Sequence, residues 1–180
     1  MSFLDKLFGK ERKPKPEPYT VDTEFGKFTM EYWDKEKTKP CYAYLGFAEW
    51  TDESGTYDIY NVEIDCDSEE TFEMKKGLAT LKKLMSEQEF WLERARQGAA
   101  EYFLTEDGTV LTWVEDENGT EVELPPEEFK KLLHVVSIHI YADDNICLVL
   151  DGSYNGNSLY TDHCISVSLN SKGEVEGCSL

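Results

Sequence analysis

The chain has 180 residues, 40% of them hydrophobic and 13% aromatic, enough to bury one sizeable core. Its 37 acidic and 18 basic residues leave a formal net charge of −19. That balance excludes the cationic footprint nucleic-acid binding needs, and an anionic membrane would repel the body of the protein.

Residues 1–18 read as an amphipathic arm and a Pro/Lys linker, ending in KPKPEP. Phe3, Leu4, Leu7 and Phe8 make one apolar stripe of a short helix, with Ser2 and Asp5 as its cap and Gly9 as its end. Lys6, Lys10, Arg12, Lys13 and Lys15 outnumber Asp5, Glu11 and Glu17, so the arm is net +2 and residues 19–180 carry −21. Opposite charges predict docking of the arm on this same body, or on a second copy in a homodimer, in preference to a membrane. The stretch is too short and too interrupted by charge for a signal peptide, and no run approaches the roughly 18 apolar residues of a membrane span. A cytoplasmic protein is expected. Cys41, Cys66, Cys147, Cys164 and Cys178 agree: odd in number and without a C-x-x-C pair, they suit buried hydrophobes in a reducing compartment.

Residues 19–180 predict a single α+β domain. FGKFTMEYW alternates, with Phe28, Met30 and Tyr32 on one side; CYAYLGFAEW follows, then the turn TDESGT. YDIYNVEIDC puts Tyr60, Val62 and Ile64 on one face and Tyr57, Ile59, Asn61 and Glu63 on the other. These three strands form an antiparallel meander. Met74, Leu78, Leu81 and Met85 then mark an amphipathic helix, capped by Asp67 or Ser68. Ser86 and Glu89 match a capping box for a second helix that turns Phe90, Trp91, Ala95, Ala99 and Tyr102 inward. Lys75, Lys76, Lys82, Lys83, Arg94 and Arg96 would be the solvated face of the two helices.

ENGT within TEDGTVLTWVEDENGTEVEL is a hairpin signal, joining a strand with Val110, Thr112 and Val114 to one from Glu121 to Leu124; a longer second helix is the alternative. PPEEFKKLL is a short helix. The remainder, VVSIHIYA, ICLVLDG, HCISVSLN and EVEGCSL, is strand and turn. The expected architecture is an antiparallel sheet, built from an N-terminal three-strand meander and C-terminal strands, with two to three helices packed on one face.

Among titratable residues, His163 stands in line with Ile165, Val167 and Leu169, after the polar loop GSYNGNSLYTD. It is either an acid–base residue oriented by Asp151, Asp162 or Tyr160, or a strand-end histidine satisfied by its loop, which is the simpler account. His134 and His139 have neither the spacing of a helical metal pair nor that of a same-face strand pair, and His139, beside Ser137 and Tyr141, is expected to face solvent. The acidic turns DESGT, DENGT and YADDN lack the EF-hand spacing. G-x-S-x-G, GxGxxG and P-loop motifs are all missing, so neither a cofactor nor a metal is called for.

Asp151-Gly152, then a loop, His163, Ile165 and Val167, preceded by a helix with Glu128 and Phe129 and a strand with Ile138 and Ile140, resembles the bacterial domain-of-unknown-function family 2262 over the last half of the chain. The resemblance implies a compact bacterial α+β domain and brings no activity with it. In size and charge the chain also resembles immunity proteins of bacterial toxin systems.

Two functional readings follow. In the first, acid-rich residues 49–73 and 101–128 capture a basic protein partner, with Trp50, Tyr57 and Trp113 as exposed aromatic anchors among acids such as Asp116 and Glu117. In the second, a small enzyme uses His163 with Asp162 or Asp151. The first is preferred.

Overall fold

The computed structural model describes residues 20–33, 41–68 and 72–180. Phe3, Leu4, Leu7 and Phe8, the expected docking arm, lie outside the described residues. Strands β1 (Thr20–Thr23), β2 (Gly26–Trp33), β3 (Cys41–Asp52) and β4 (Gly55–Asp65) are followed by helices α1 (Lys75–Ser86) and α2 (Gln88–Tyr102). Next come strands β5 (Val110–Glu115) and β6 (Glu121–Leu124), helix α3 (Pro126–Leu132), and strands β7 (Leu133–Ile140), β8 (Ile146–Tyr154), β9 (Asn157–Ser158), β10 (Ile165–Leu169) and β11 (Val175–Ser179). The fold is α+β, as expected.

The main sheet has the order β1-β2-β3-β4-β7-β8-β10-β11, with β9 paired to β8, and β5 with β6 forms a separate hairpin. Each meander runs antiparallel, β1 to β4 and β7 to β11. They join edge to edge at one parallel seam, where Val62, Glu63 and Ile64 register with Ile138, His139 and Ile140. The three helices between them lie over one sheet face, the side of Ile64, Ile140, Leu148 and Val167, all buried.

Two bulges explain where simple alternation misassigns faces. Gly46 pairs with Val62 but Ala48 with Ile59, so β4 carries one extra residue. Ile59 therefore joins Val62 and Ile64 in the core, and Tyr60 is turned out, 79% exposed. A matching shift in β7, between Val135 and Ser137, buries Val135 together with Ile138.

The helices also differ in detail from their sequence signals. Helix α1 begins at Lys75, yet the Asp67 carboxylate still caps it, accepting the amides of Lys75 at 3.1 Å and Lys76 at 3.3 Å. Ser86 donates back to Lys83 O and so closes α1, and no side chain caps α2. On α2, Trp91, Ala95 and Ala99 are buried as expected, but Phe90 and Tyr102 are exposed, and Leu92 and Arg96 take the inward positions. Close approach to the sheet depends on small residues: a Cβ at Gly77 would lie 2.2 Å from Ile64 Cγ2.

Candidate functional site

The β5–β6 hairpin turns on Asn118-Gly119, where Gly119 has φ +75°, and Asp116 accepts the amides of Asn118 and Thr120 at 2.8 and 2.9 Å. Those backbone donors outweigh the small burial cost and hold the Asp116 carboxyl below its ordinary range. Asp116 thus shapes the turn, and Glu117 stands exposed at its tip. Alternation buries Val110, Thr112 and Val114 and leaves Leu111, Trp113 and Glu115 on the outer face, where the register sets Glu123 opposite Leu111 and Glu121 opposite Glu115.

Trp113 is 40% exposed and rests on a column of aromatic rings. Its indole meets Tyr160 edge to face at 5.7 Å, and Tyr160 stacks on Phe103 at 4.7 Å and reaches the buried Phe129 at 6.4 Å. The hairpin is tied to the body beneath it: the Trp113 amide donates to Leu159 O, and the Tyr160 hydroxyl to Leu111 O, both at 2.8 Å.

His163 flanks the outer side of Trp113, ring centroids 5.5 Å apart. Asp162 approaches its Nε2 at 3.5 Å, but that carboxylate is 91% exposed, so solvent screens the pair. Asp151 accepts the amide of Gly152 at 2.7 Å and forms no ion pair with His163. Tyr160, the other suggested orienter, is spent on the hairpin. His163 therefore belongs to the exposed aromatic patch.

Two expected anchors are corrected. Trp50 is fully buried, since α2 packs against β3 here, with the Gln88 side chain bonded to the backbone of Glu49 and Thr51 on either side. Tyr57 is half-buried: its hydroxyl donates to Asp52 Oδ2 at 3.1 Å and accepts the amide of Val135 at 3.2 Å, filling the gap left where the bulges part β4 from β7. Burial first, then the Asp52 carboxylate, push its phenol well above the ordinary value. Beside it, Arg96 departs from the solvated basic face: 8% exposed, it pairs with Glu53 at 2.6 Å and donates to Leu133 O.

The helix-free face of the seam holds a cluster that alternation alone did not reveal. Glu63 and Asp65, two apart on β4, lie on one side, and the parallel register sets His139 directly beside Glu63. His139 Nε2 is 3.0 Å from Asp65 Oδ1 and 3.7 Å from Glu63 Oε1, so this histidine is engaged and 26% exposed, correcting the expectation that it simply faces solvent. The Tyr141 ring lies on its imidazole, centroids 4.0 Å apart, and burial followed by the surrounding anionic groups pushes the phenol up. A cleft of about 520 Å³ opens from Asp65 past Tyr141, Asp143, Asn145, Ser168 and Glu176.

No curated protein and no solved structure matches the chain. Residues 22–180 match the family described as "Uncharacterized protein conserved in bacteria (DUF2262)", a span that takes in both meanders and everything between them. Asp151-Gly152 within β8, His163 and the β10 alternation, which carried the resemblance in the C-terminal half, thus sit within one continuous match, and the chain belongs to the DUF2262 family.

Proposed function

We propose that the chain is a non-catalytic binding protein, immunity-like or regulatory, that takes a basic protein partner on the outer face of the β5–β6 hairpin. One observation carries this reading: Trp113 is partly exposed on a rigid aromatic column and framed by Glu115, Glu121 and Glu123. An indole already held by its neighbours loses little freedom on binding, which is the profile of an interface hot spot. The carboxylates around it add steering toward a cationic surface, and no lysine or arginine occurs between Arg96 and Lys130 to oppose them. A cytoplasmic location fits, because Cys147, Cys164 and Cys178 are free thiols. Among the described residues no helix is long and apolar enough to cross a membrane.

The test is affinity capture from a bacterial lysate with the full chain, its Trp113→Ala variant and a Glu115→Gln/Glu121→Gln/Glu123→Gln variant. A basic protein retained by the unaltered chain, released by added salt and lost with both variants is the expected result. Capture that is indifferent to both variants, or of an acidic partner, overturns the assignment.

A further inference from the structure

We propose that Glu63, Asp65 and His139 bind a divalent transition-metal ion of the zinc class, which would bridge the parallel seam between β4 and β7. The inference is independent of the hairpin: the three residues lie on the helix-free face of the main sheet.

The donors are placed by strand geometry. Glu63 and Asp65 are fixed by the period-two alternation of β4, His139 by its register with Glu63, and the Tyr141 ring against the imidazole sets the ring plane. One donor atom from each residue falls within 4.8 Å of the others. Four ligands at the 2.0–2.1 Å typical of zinc with nitrogen and oxygen stand about 3.3 Å apart along the edge of a tetrahedron. The separations from His139 Nε2, 3.0 Å to Asp65 and 3.7 Å to Glu63, bracket that edge.

Charge points the same way. Two carboxylates carry two negative charges at side-chain exposures of only 24% for Glu63 and 19% for Asp65. Among the described residues, no lysine or arginine forms an ion pair with Glu63 or Asp65. A divalent ion would cancel this charge in place, and the imidazole favours zinc, iron or nickel over magnesium or calcium. Three protein ligands leave a fourth position, and the cleft beside Asp65 gives it a route to water.

The same distances would suit a histidine simply hydrogen-bonded to Asp65, so the experiment must separate the two. The full chain, reduced and metal-free, is titrated with Zn²⁺ by calorimetry while the imidazole signals of its three histidines are followed by NMR, assigned with the His134→Gln and His163→Gln variants. The expected result is one equivalent bound, with the His139 signals shifted and those of His134 and His163 unmoved. His139→Gln and Asp65→Asn should each weaken binding by at least about tenfold, since loss of even an outer-shell partner of a metal ligand costs that much. Micromolar Zn²⁺ that leaves His139 unmoved overturns the proposal, and so does affinity unchanged in both variants, which would assign the ion to cysteine thiolates. The NMR readout uses the intact cluster and stands even where a variant folds poorly.

Discussion

Arg96 on α2 donates through both Nε and Nη2 to a single acceptor, the carbonyl oxygen of Leu133, at 3.0 and 2.6 Å, just where α3 passes into β7. The side chain is buried but Glu53, its ion-pair partner, is 56% exposed. The two partners therefore differ in weight. Arg96→Ala strands a buried carbonyl and opens a cavity, and should cost about 2–4 kcal/mol. Glu53→Gln should cost less than about 1 kcal/mol, because water already screens that carboxylate. Urea denaturation of the two variants checks the ranking; equal losses would mean that the ion pair, not the carbonyl contact, holds Arg96.

Helix propensity and packing make opposite predictions at Gly77. Alanine is the better helix former by about 1 kcal/mol. Its Cβ, however, would lie 2.2 Å from Ile64 Cγ2, a fully buried atom on a central strand. Gly77→Ala is expected to destabilise by about 1–3 kcal/mol net. Gly98→Ala would meet Val175 Cγ2 at 2.8 Å, a longer approach to a side chain that is 41% exposed, so its melting temperature should fall less.

Acid stability should depend on Asp52. Burial pushes this carboxyl up, but the hydroxyl and amide of Ser54, the Tyr57 hydroxyl and the Arg96 charge outweigh it and hold the group below its ordinary range. A depressed carboxyl contributes stability that is fully present above the unfolded value of about 4 and is lost as pH falls through the folded value. Asp52→Asn should therefore lower stability at neutral pH and flatten its decline below about pH 4. Denaturation midpoints across that range decide; a parallel decline in both proteins would place the sensitivity elsewhere.

Removing the tie beneath the hairpin should loosen it without unfolding the sheet. Tyr160→Phe keeps the aromatic column but deletes the bond to Leu111 O. Amides of residues 110–115 are expected to exchange several-fold faster, while those of β8 and β10 keep their protection. Uniformly faster exchange would show that the hairpin and sheet open together.

The elements were largely legible in the sequence because each rests on local rules. Asn118-Gly119 announced the hairpin, proline at the start of PPEEFKKLL announced α3, and period-two runs announced the strands. The faces of Ile59 and Val135 were not legible, since a single bulge residue inverts the alternation that assigns them. The partial exposure of Trp113 agrees with its acidic surroundings, whereas the burial of Trp50 and Arg96 was not legible because it depends on α2 lying over β3. The Glu63, Asp65 and His139 cluster left no local mark at all. It exists only through a parallel pairing of strands more than 70 residues apart, and each of its members taken alone looks like an ordinary surface residue of a strand.

That pairing also divides the molecule in time. Within each meander, neighbouring strands follow one another closely along the chain, so their contact order is low. The seam spans three residue pairs and must close a loop of more than 70 residues, as the bonds between Asn61 and Ser137, 76 apart, show. Loop-closure entropy is concentrated there. The two halves of the sheet are therefore expected to gain protection separately during refolding, with the amides of residues 62–64 and 138–140 protected last, a sequence that pulse-labelled hydrogen exchange resolves directly.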